Sequence, residues 1–261
     1  MSDDAILTRR DDSGHVATVT LNKPDKLNAL DLPMWQGLAE AFEALAEDES
    51  LRCVVLEGAG KAFAAGADIG EFDTVRATPE QAKTYDLMLR RALKAVRECP
   101  APVVARIDGA CVGGGLELAC MADLRVATTR SKFGVPIARI SVVMAYPEIE
   151  AIQRLIGPAR MNEILLEGKI LDAAWALQAG LVNYAVEPEA LDETMAGVVE
   201  RIGLGAPLVA RWHKRFVRRL VTPHPVSQSE LDECYDFLTT KDYEEGVNAF
   251  KGKRKPAFSA R

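Results

Sequence analysis

Val103-Val104-Ala105-Arg106-Ile107-Asp108-Gly109-Ala110-Cys111-Val112-Gly113-Gly114-Gly115-Leu116-Glu117-Leu118-Ala119 runs from an apolar strand, through glycine-rich turns, into the start of a helix. An earlier stretch has the same layout. There Cys53-Val54-Val55-Leu56 leads into Gly58-Ala59-Gly60-Lys61-Ala62-Phe63-Ala64-Ala65-Gly66-Ala67-Asp68-Ile69-Gly70. Cys53-Val54-Val55-Leu56 is a short, wholly apolar run, the kind buried on both faces of a parallel sheet. Each run is followed by flexible backbone where the chain leaves the carboxyl end of a strand, the end that ligands favour in α/β sheets.

The pattern extends in both directions. Val16–Leu21 alternates and is β-branched, so it reads as a strand; Leu124–Ala127 and Leu181–Val186 read likewise. Apolar residues at helical spacing run from Leu32 to Ala46, with Asp31 as N-cap and Pro33 in the first turn. A helix opens at Pro79 and stops near Glu98, ahead of Pro100. Further helices are expected near 148–156, 159–166, 172–179 and 189–202. Alternating strands and helices predict an α/β protein. After about residue 200 the strands stop, and 206–220, 227–238 and 241–251 are helical in pattern, with Pro223 and Pro225 separating the first two. The expected organisation is an α/β core over 1–200 and a helical region over 201–261. One tail helix carries Arg211, Lys214, Arg215, Arg218 and Arg219, and reads as a solvated face, with an oligomer or phosphate contact as the alternative.

Composition narrows the class. The 261 residues are 48% hydrophobic and 27% charged, as in a soluble globular protein. Lys plus Arg is 32 and Asp plus Glu is 38, a net charge of −6, which argues against nucleic acid as the main partner. No apolar run approaches the roughly 20 residues that a membrane helix requires. The start, Met1-Ser2-Asp3-Asp4-Ala5, is acidic where a secretory leader is basic and then apolar. Cys53, Cys99, Cys111, Cys120 and Cys234 form no C-x-x-C pair and read mostly as small buried groups in a reducing cytoplasm. His15, His213 and His224 share no metal-ligand spacing, so no metal site is expected.

The glycine turns do not fit a nucleotide site. Gly60-Lys61 lacks the Ser or Thr of a phosphate-binding loop, and Leu118 stands where the third glycine of G-x-G-x-x-G belongs. A helix that begins just after a glycine run instead offers free N–H groups to negative charge. A second N–H from around Ala67 would complete an oxyanion hole. Tight helix–strand packing is the other use of such glycines.

These residues closely resemble the crotonase superfamily, the enoyl-CoA hydratase/isomerase family. The likeness lies in Lys61–Ile69 and Gly109–Leu118, in Asn22-Lys23-Pro24-Asp25-Lys26-Leu27-Asn28-Ala29-Leu30, in Gly180-Leu181-Val182-Asn183 and in Glu245–Arg254. The resemblance implies a crotonase-like spiral of ββα units with a C-terminal helical trimerisation region, assembled as a homotrimer or dimer of trimers. It implies a coenzyme A thioester as substrate and no tightly bound cofactor. The N–H groups of Ala67 and Gly114 match its oxyanion donors, and Glu117 one of its two catalytic glutamates. Ala65, Ala67, Asp68, Ile69 and Gly70 match backbone that holds adenine and pantetheine, and Lys26 and Leu27 flank the nucleotide. Phe250 and Lys253 match residues that close the site from a neighbouring subunit.

The chain departs from the hydratase pattern at one place. The second glutamate belongs after Phe-Gly-x-Pro, and here Phe133-Gly134-Val135-Pro136 is followed by Ile137. The glycine-rich loop beyond it is replaced by Ser141-Val142-Val143-Met144-Ala145-Tyr146-Pro147-Glu148. A general acid or base is worth about 10²- to 10⁴-fold, so the loss bears directly on hydration. The resemblance names an enoyl-CoA hydratase. A single-glutamate isomerase, decarboxylase or thioesterase, or a non-catalytic CoA-binding protein, stays open. Tyr146, Glu148 and Arg139 are the polar candidates for the vacated role. Their plainer readings are a half-buried aromatic, a helix N-terminal charge and a surface residue. Asp123 with Arg125 reads as a structural ion pair.

Overall fold

The computed structural model describes residues 4–221 and 224–261, so Met1 to Asp3 of the acidic start and the break at Pro223 lie outside the described residues. β1 (Ile6–Arg10) and β2 (Val16–Leu21) form an antiparallel hairpin. α1 (Leu32–Ala46) follows, capped by the Asp31 carboxylate, which accepts from the Met34 N–H. Three ββα units come next. The first is β3 (Cys53–Gly58), β4 (Ala62–Ala64), a single turn α2 (Phe72–Val75) and α3 (Pro79–Glu98). The second is β5 (Val103–Ile107), β6 (Ala110–Val112) and α4 (Gly114–Met121). The third is β7 (Leu124–Thr128), β8 (Lys132–Gly134) and α5 (Tyr146–Glu167). β9 (Leu171–Asp172), α6 (Ala173–Ala179), β10 (Tyr184–Val186) and α7 (Leu191–Gly203) complete the α/β part.

The first strand of each unit joins a six-stranded sheet of order β1-β2-β3-β5-β7-β10, and the second joins a four-stranded sheet of order β4-β6-β8-β9. Successive units thus step along two sheets at once, the expected ββα spiral. Gly109 makes one corner between the sheets: its φ is +73°, and a Cβ there would lie 2.1 Å from the Lys61 carbonyl oxygen. Trp35, Phe42, Leu56, Phe63, Ile107 and Phe133 are fully buried between the layers.

Several expectations need correction. Leu181–Val186 is strand only from Tyr184. The αL residue Gly180 ends α6, and the Leu181 and Val182 N–H groups both bond back to the Ala176 carbonyl. By contrast, the two helices expected near 148–156 and 159–166 are both present within α5, divided at Gly157, whose φ of 78° is non-helical, ahead of Pro158. Segment 227–238 is a short α9 (Gln228–Asp232) continued by a 3-10 turn, Glu233–Thr239. Strands β4, β6 and β8 have three residues each, too few to show a period.

The basic helix, α8 (Pro207–Arg219), is not simply a solvated face. Its cations dock on the chain ahead of β3, β5 and β7. Arg211 donates to the Glu49 and Leu51 carbonyls, Lys214 to Ala101 at 2.8 Å, and Arg218 to Cys99. Lys214 is buried and pairs with Asp123 at 2.5 Å, so Asp123 takes Lys214, not Arg125, as its ion-pair partner. The Arg125 side chain instead donates to the Leu181 and Ala122 carbonyls. Burial pulls the Lys214 amine below its ordinary range. The tail is therefore bonded to the end of the sheet opposite the glycine turns. Its last helix is α10 (Lys241–Lys251). Among the described residues no helix is long and apolar enough to cross a membrane. Four of the five cysteines are buried thiols; Cys234 is exposed.

Candidate active site

The two glycine turns meet. Gly113 has φ +52° and donates its N–H to the Gly134 carbonyl at 2.8 Å. A Cβ on Gly113 would lie 3.6 Å from the Gly66 Cα, and one on Gly66 would lie 3.2 Å from the Val112 carbonyl oxygen. The three glycines before Glu117 divide their work. Gly113 supplies the left-handed turn. Gly115 allows close packing, since a Cβ there would come within 2.5 Å of the Ala64 carbonyl oxygen. Gly114 is the first residue of α4, so its N–H has no acceptor within the helix. The packing use of the run is thus seen at Gly115, while Gly114 presents an N–H at a helix start.

Ala67 is held by its flanks. Leu30 donates its N–H to the Gly66 carbonyl at 2.7 Å and accepts from the Asp68 N–H at 2.9 Å. In this parallel bridge the Ala67 N–H faces away from Leu30, because successive N–H groups alternate along extended backbone. The Leu30 segment is fixed in turn by Asn28, which is fully buried with φ +54°. The Asn28 amide donates to the Ala59 and Ala62 carbonyls at 2.9 and 2.8 Å, and its oxygen accepts from the Lys23 N–H.

A cavity of about 320 Å³ opens beside these turns. Ala65, Gly66, Ala67, Ile69 and Phe72 form one wall, and Val112, Gly113, Gly114 and Glu117 the next. Pro136, Ile137, Val142, Met144 and Glu148 line the cavity as well. The lining is mostly apolar with a few acidic and basic groups, the usual make-up of a small-molecule site. Glu117 lies one turn into α4 and is buried. Burial, and after it the negative charge of Glu148, push its carboxyl up to about 8 from an ordinary 4.5. Burial outweighs the helix N-terminus, whose dipole works the other way. Near pH 7 Glu117 therefore holds a proton that it can readily give or take.

Glu148 is the cavity residue that the sequence reading under-weighted. It does sit in the first turn of α5, as a helix N-terminal charge would, but it is only 4% exposed and lines the same cavity as Glu117. Its Oε1 lies 3.5 Å from Arg90 Nε, while its Oε2 is buried without a partner. Arg76, Asp86 and Arg90 continue the charged edge: Arg76 reaches Asp86 at 3.3 Å and lies over the Phe72 and Tyr85 rings. Nothing in the sequence singled out Arg76 or Asp86, because their place depends on how α3 meets α5. Tyr146, expected half-buried, is 89% exposed and absent from the lining. Position N1 of α5 turns it outward. Arg139 is an exposed rim residue that donates to the Gly168 carbonyl.

Of the anticipated site residues, Ala65, Ala67, Ile69, Gly114, Glu117 and Ile137 share this cavity. Lys26, Leu27, Asp68 and Gly70 lie outside its lining. Lys26 pairs with Asp68 at 2.7 Å, and Asp68 accepts from the Gly70 N–H. The Lys26 hydrogen bond holds the Asp68 carboxyl below its ordinary range. Leu27 is exposed with φ 51°. Phe250 is 88% exposed and lines a separate apolar groove with Phe237, Tyr243 and Phe258, while Lys253 is exposed just beyond α10.

Two glycine turns that meet beside a buried carboxyl make a candidate small-molecule site, and comparison with known proteins gives the family. The profile of the enoyl-CoA hydratase/isomerase family matches residues 11–261. The solved structure of an enoyl-CoA hydratase/carnithine racemase from Magnetospirillum magneticum is 60% identical, covers 100% of this chain and 97% of that one, and superposes with a TM-score of 0.97. An enoyl-CoA hydratase structure from Bacillus anthracis is 29% identical over 98% of this chain and 100% of its own, with a TM-score of 0.91. The (E)-benzylidenesuccinyl-CoA hydratase of Thauera aromatica is 35% identical over 251 residues, 94% of this chain and 96% of that protein. The chain belongs to the enoyl-CoA hydratase/isomerase family, and it is an enzyme of that family with the crotonase fold.

Proposed function

We propose that the chain adds water to a 2-enoyl-CoA thioester through an enolate held by the Ala67 and Gly114 N–H groups, with Glu117 carrying the proton of the α-carbon. The observation that carries this reading is the buried Glu117 carboxyl, titrating near 8, on the wall of the cavity where the two glycine turns meet. Two N–H donors favour charge that develops on the thioester oxygen, and a carboxyl poised near neutral pH exchanges protons with the α-carbon. Coenzyme A enters as part of the substrate. Its phosphates are anionic and so is the protein, so attraction has to be local, from backbone N–H groups, Lys26 and Lys253.

The apolar side chain of Ile137 favours a second reading. A single proton carrier that takes a proton from the α-carbon and returns it to the γ-carbon suffices to move a double bond from the 3- to the 2-position, so isomerisation is the alternative. The test is turnover of crotonyl-CoA and longer 2-enoyl-CoAs, followed as loss of the conjugated thioester absorbance, alongside 3-enoyl-CoA. Hydration no faster than in Glu117→Gln sinks the first reading, and inert 3-enoyl-CoA sinks the second.

The region 201–261 is proposed to assemble subunits as a homotrimer or dimer of trimers. The exposed Val217, Leu220, Tyr235 and Phe250 support this, because monomers seldom leave so many large apolar groups on one region. A monomeric mass by light scattering would overturn it. Free cysteines, four of them buried, fit a reducing cytoplasm.

A further inference from the structure

We propose that Glu148, delivered by the first turn of α5, is the second catalytic carboxylate of this site and fills the role vacated at Ile137. The proposal rests on the acyl-CoA reading above and goes beyond it by completing the acid–base pair.

The argument is geometric. Ile137 and Glu148 are eleven positions apart in sequence but line one cavity together with Gly114 and Glu117. Between them a 3-10 turn, Pro136–Ile140, ends at the αL residue Ser141, and α5 starts at Tyr146. The chain thus loops out and returns, so that the start of α5 brings a carboxylate to the wall where Ile137 offers only carbon. Isolated carboxylates are costly to bury, and structural ones are held by donors on both oxygens. Glu148 is held by one. Arg90 faces Oε1 at the long distance of 3.5 Å, and Oε2 is buried with no partner. Arg90 is also drawn toward Asp86, and Asp86 toward Arg76, so the cations of α3 and its preceding loop are shared. A buried carboxylate left half-satisfied in the same mostly apolar cavity as another carboxyl is poorly explained by stability and well explained by an incoming water or acyl group.

The chemistry balances without a further reactant. Glu148 takes one proton from water as the water oxygen bonds to the β-carbon. The C=C electron pair moves to the thioester oxygen, held by the Ala67 and Gly114 N–H groups. The pair then returns to form a C–H bond at the α-carbon with the proton of Glu117. Glu117 is left ionised and Glu148 protonated, and one proton passed from Glu148 to Glu117 resets the site.

The experiment compares two reactions of the purified full chain: hydration of crotonyl-CoA, and deuterium exchange at the α-carbon of butyryl-CoA, which requires Glu117 but no attacking water. Glu148→Gln is expected to lower kcat for hydration about 100-fold, with KM changed less than about threefold. Exchange should fall at least about tenfold less than hydration, and Glu148→Asp should recover about tenfold of the lost hydration. Glu150→Gln, on the exposed side of the same helix turn, is the control for fold and rate. Hydration by Glu148→Gln within about threefold of the parent overturns the proposal. A parallel loss of both reactions, with Glu148→Asp no better than Glu148→Gln, also overturns it, because that is the signature of a packing residue. A parent chain inert in both assays overturns the acyl-CoA reading and this proposal with it. Inactive Glu117→Gln beside active Glu148→Gln overturns this proposal alone.

Discussion

The cavity has two unlike walls. The wall from Val112 to Glu117 is backbone: three consecutive glycines, a helix start and close contacts that exclude a Cβ. The wall from Pro136 to Glu148 is side chain: Ile137, Val142, Met144 and Glu148 on a 3-10 turn, a loop and the start of a helix. Val143, on the same segment, is 87% exposed. The first wall leaves little room for substitution, because backbone fills it. Side chains on the second change without disturbing the sheets, so under the proposed function that is where a reaction would be chosen. The protein's departure from the hydratase pattern falls wholly in the second wall.

The sharpest way to break this division is to strike the proton carrier of the backbone wall. Glu117→Gln is expected to lower kcat by about 10³-fold on any substrate the enzyme turns over, with little change in KM. Next comes the packing that sets the donors. Gly115→Ala places a methyl about 2.5 Å from the Ala64 carbonyl oxygen, so α4 must shift away from β4. A loss of about 2–3 kcal/mol in chemical denaturation and about 100-fold in kcat is expected. A milder test addresses the side-chain wall. Adding Ile137→Glu to Glu148→Gln should return about tenfold of the lost hydration, measured against the single variant, if either position can present the second carboxylate. The smallest effect is assigned to Tyr146, whose removal as Tyr146→Phe should change kcat less than about twofold, because the ring lies outside the cavity.

A pH measurement sharpens the same contrast. The folded Glu117 keeps its proton up to about 8, whereas its ordinary value is 4.5. Between those values the unfolded chain releases a proton that the native chain retains, so stability falls as pH rises through the window. The decline is on the order of 3 kcal/mol, and Glu117→Gln should flatten it in urea titrations from pH 5 to about 8.5. Removing the neighbouring charge with Glu148→Gln should move the Glu117 midpoint downward, visible as an earlier rise of α-proton exchange with pH.

Much of the backbone wall was legible in the sequence, and little of the other. β3, β5 and β7 contain apolar runs that can only be buried, and the glycines after β3 and β5 announce turns whatever surrounds them. Glu117 follows from its distance to those glycines. By contrast β4, β6 and β8 are held by pairing across the chain, not by any local period. Glu148 reads locally as an ordinary helix-start charge, and its burial depends on how α5 settles over α4 and α3. The basic helix was misjudged for the same reason: Lys214 and Arg218 look like surface charge until the carbonyls ahead of β5 are placed beneath them.

Asn28 has a consequence in the order of events during folding. Its amide joins the turn at 22–30 to carbonyls 31 and 34 residues further on, and Leu30 then clamps the segment that carries Ala67. The Ala67 and Gly114 N–H groups thus come from two stretches, the first of which a third, N-terminal one holds in place. Contacts so distant in sequence form late and slowly. The pairings Val16 with Cys53 and Val54 with Val103 span 37 and 49 residues, so the site should mature together with the sheet, and a refolding chain should recover helical signal well before either.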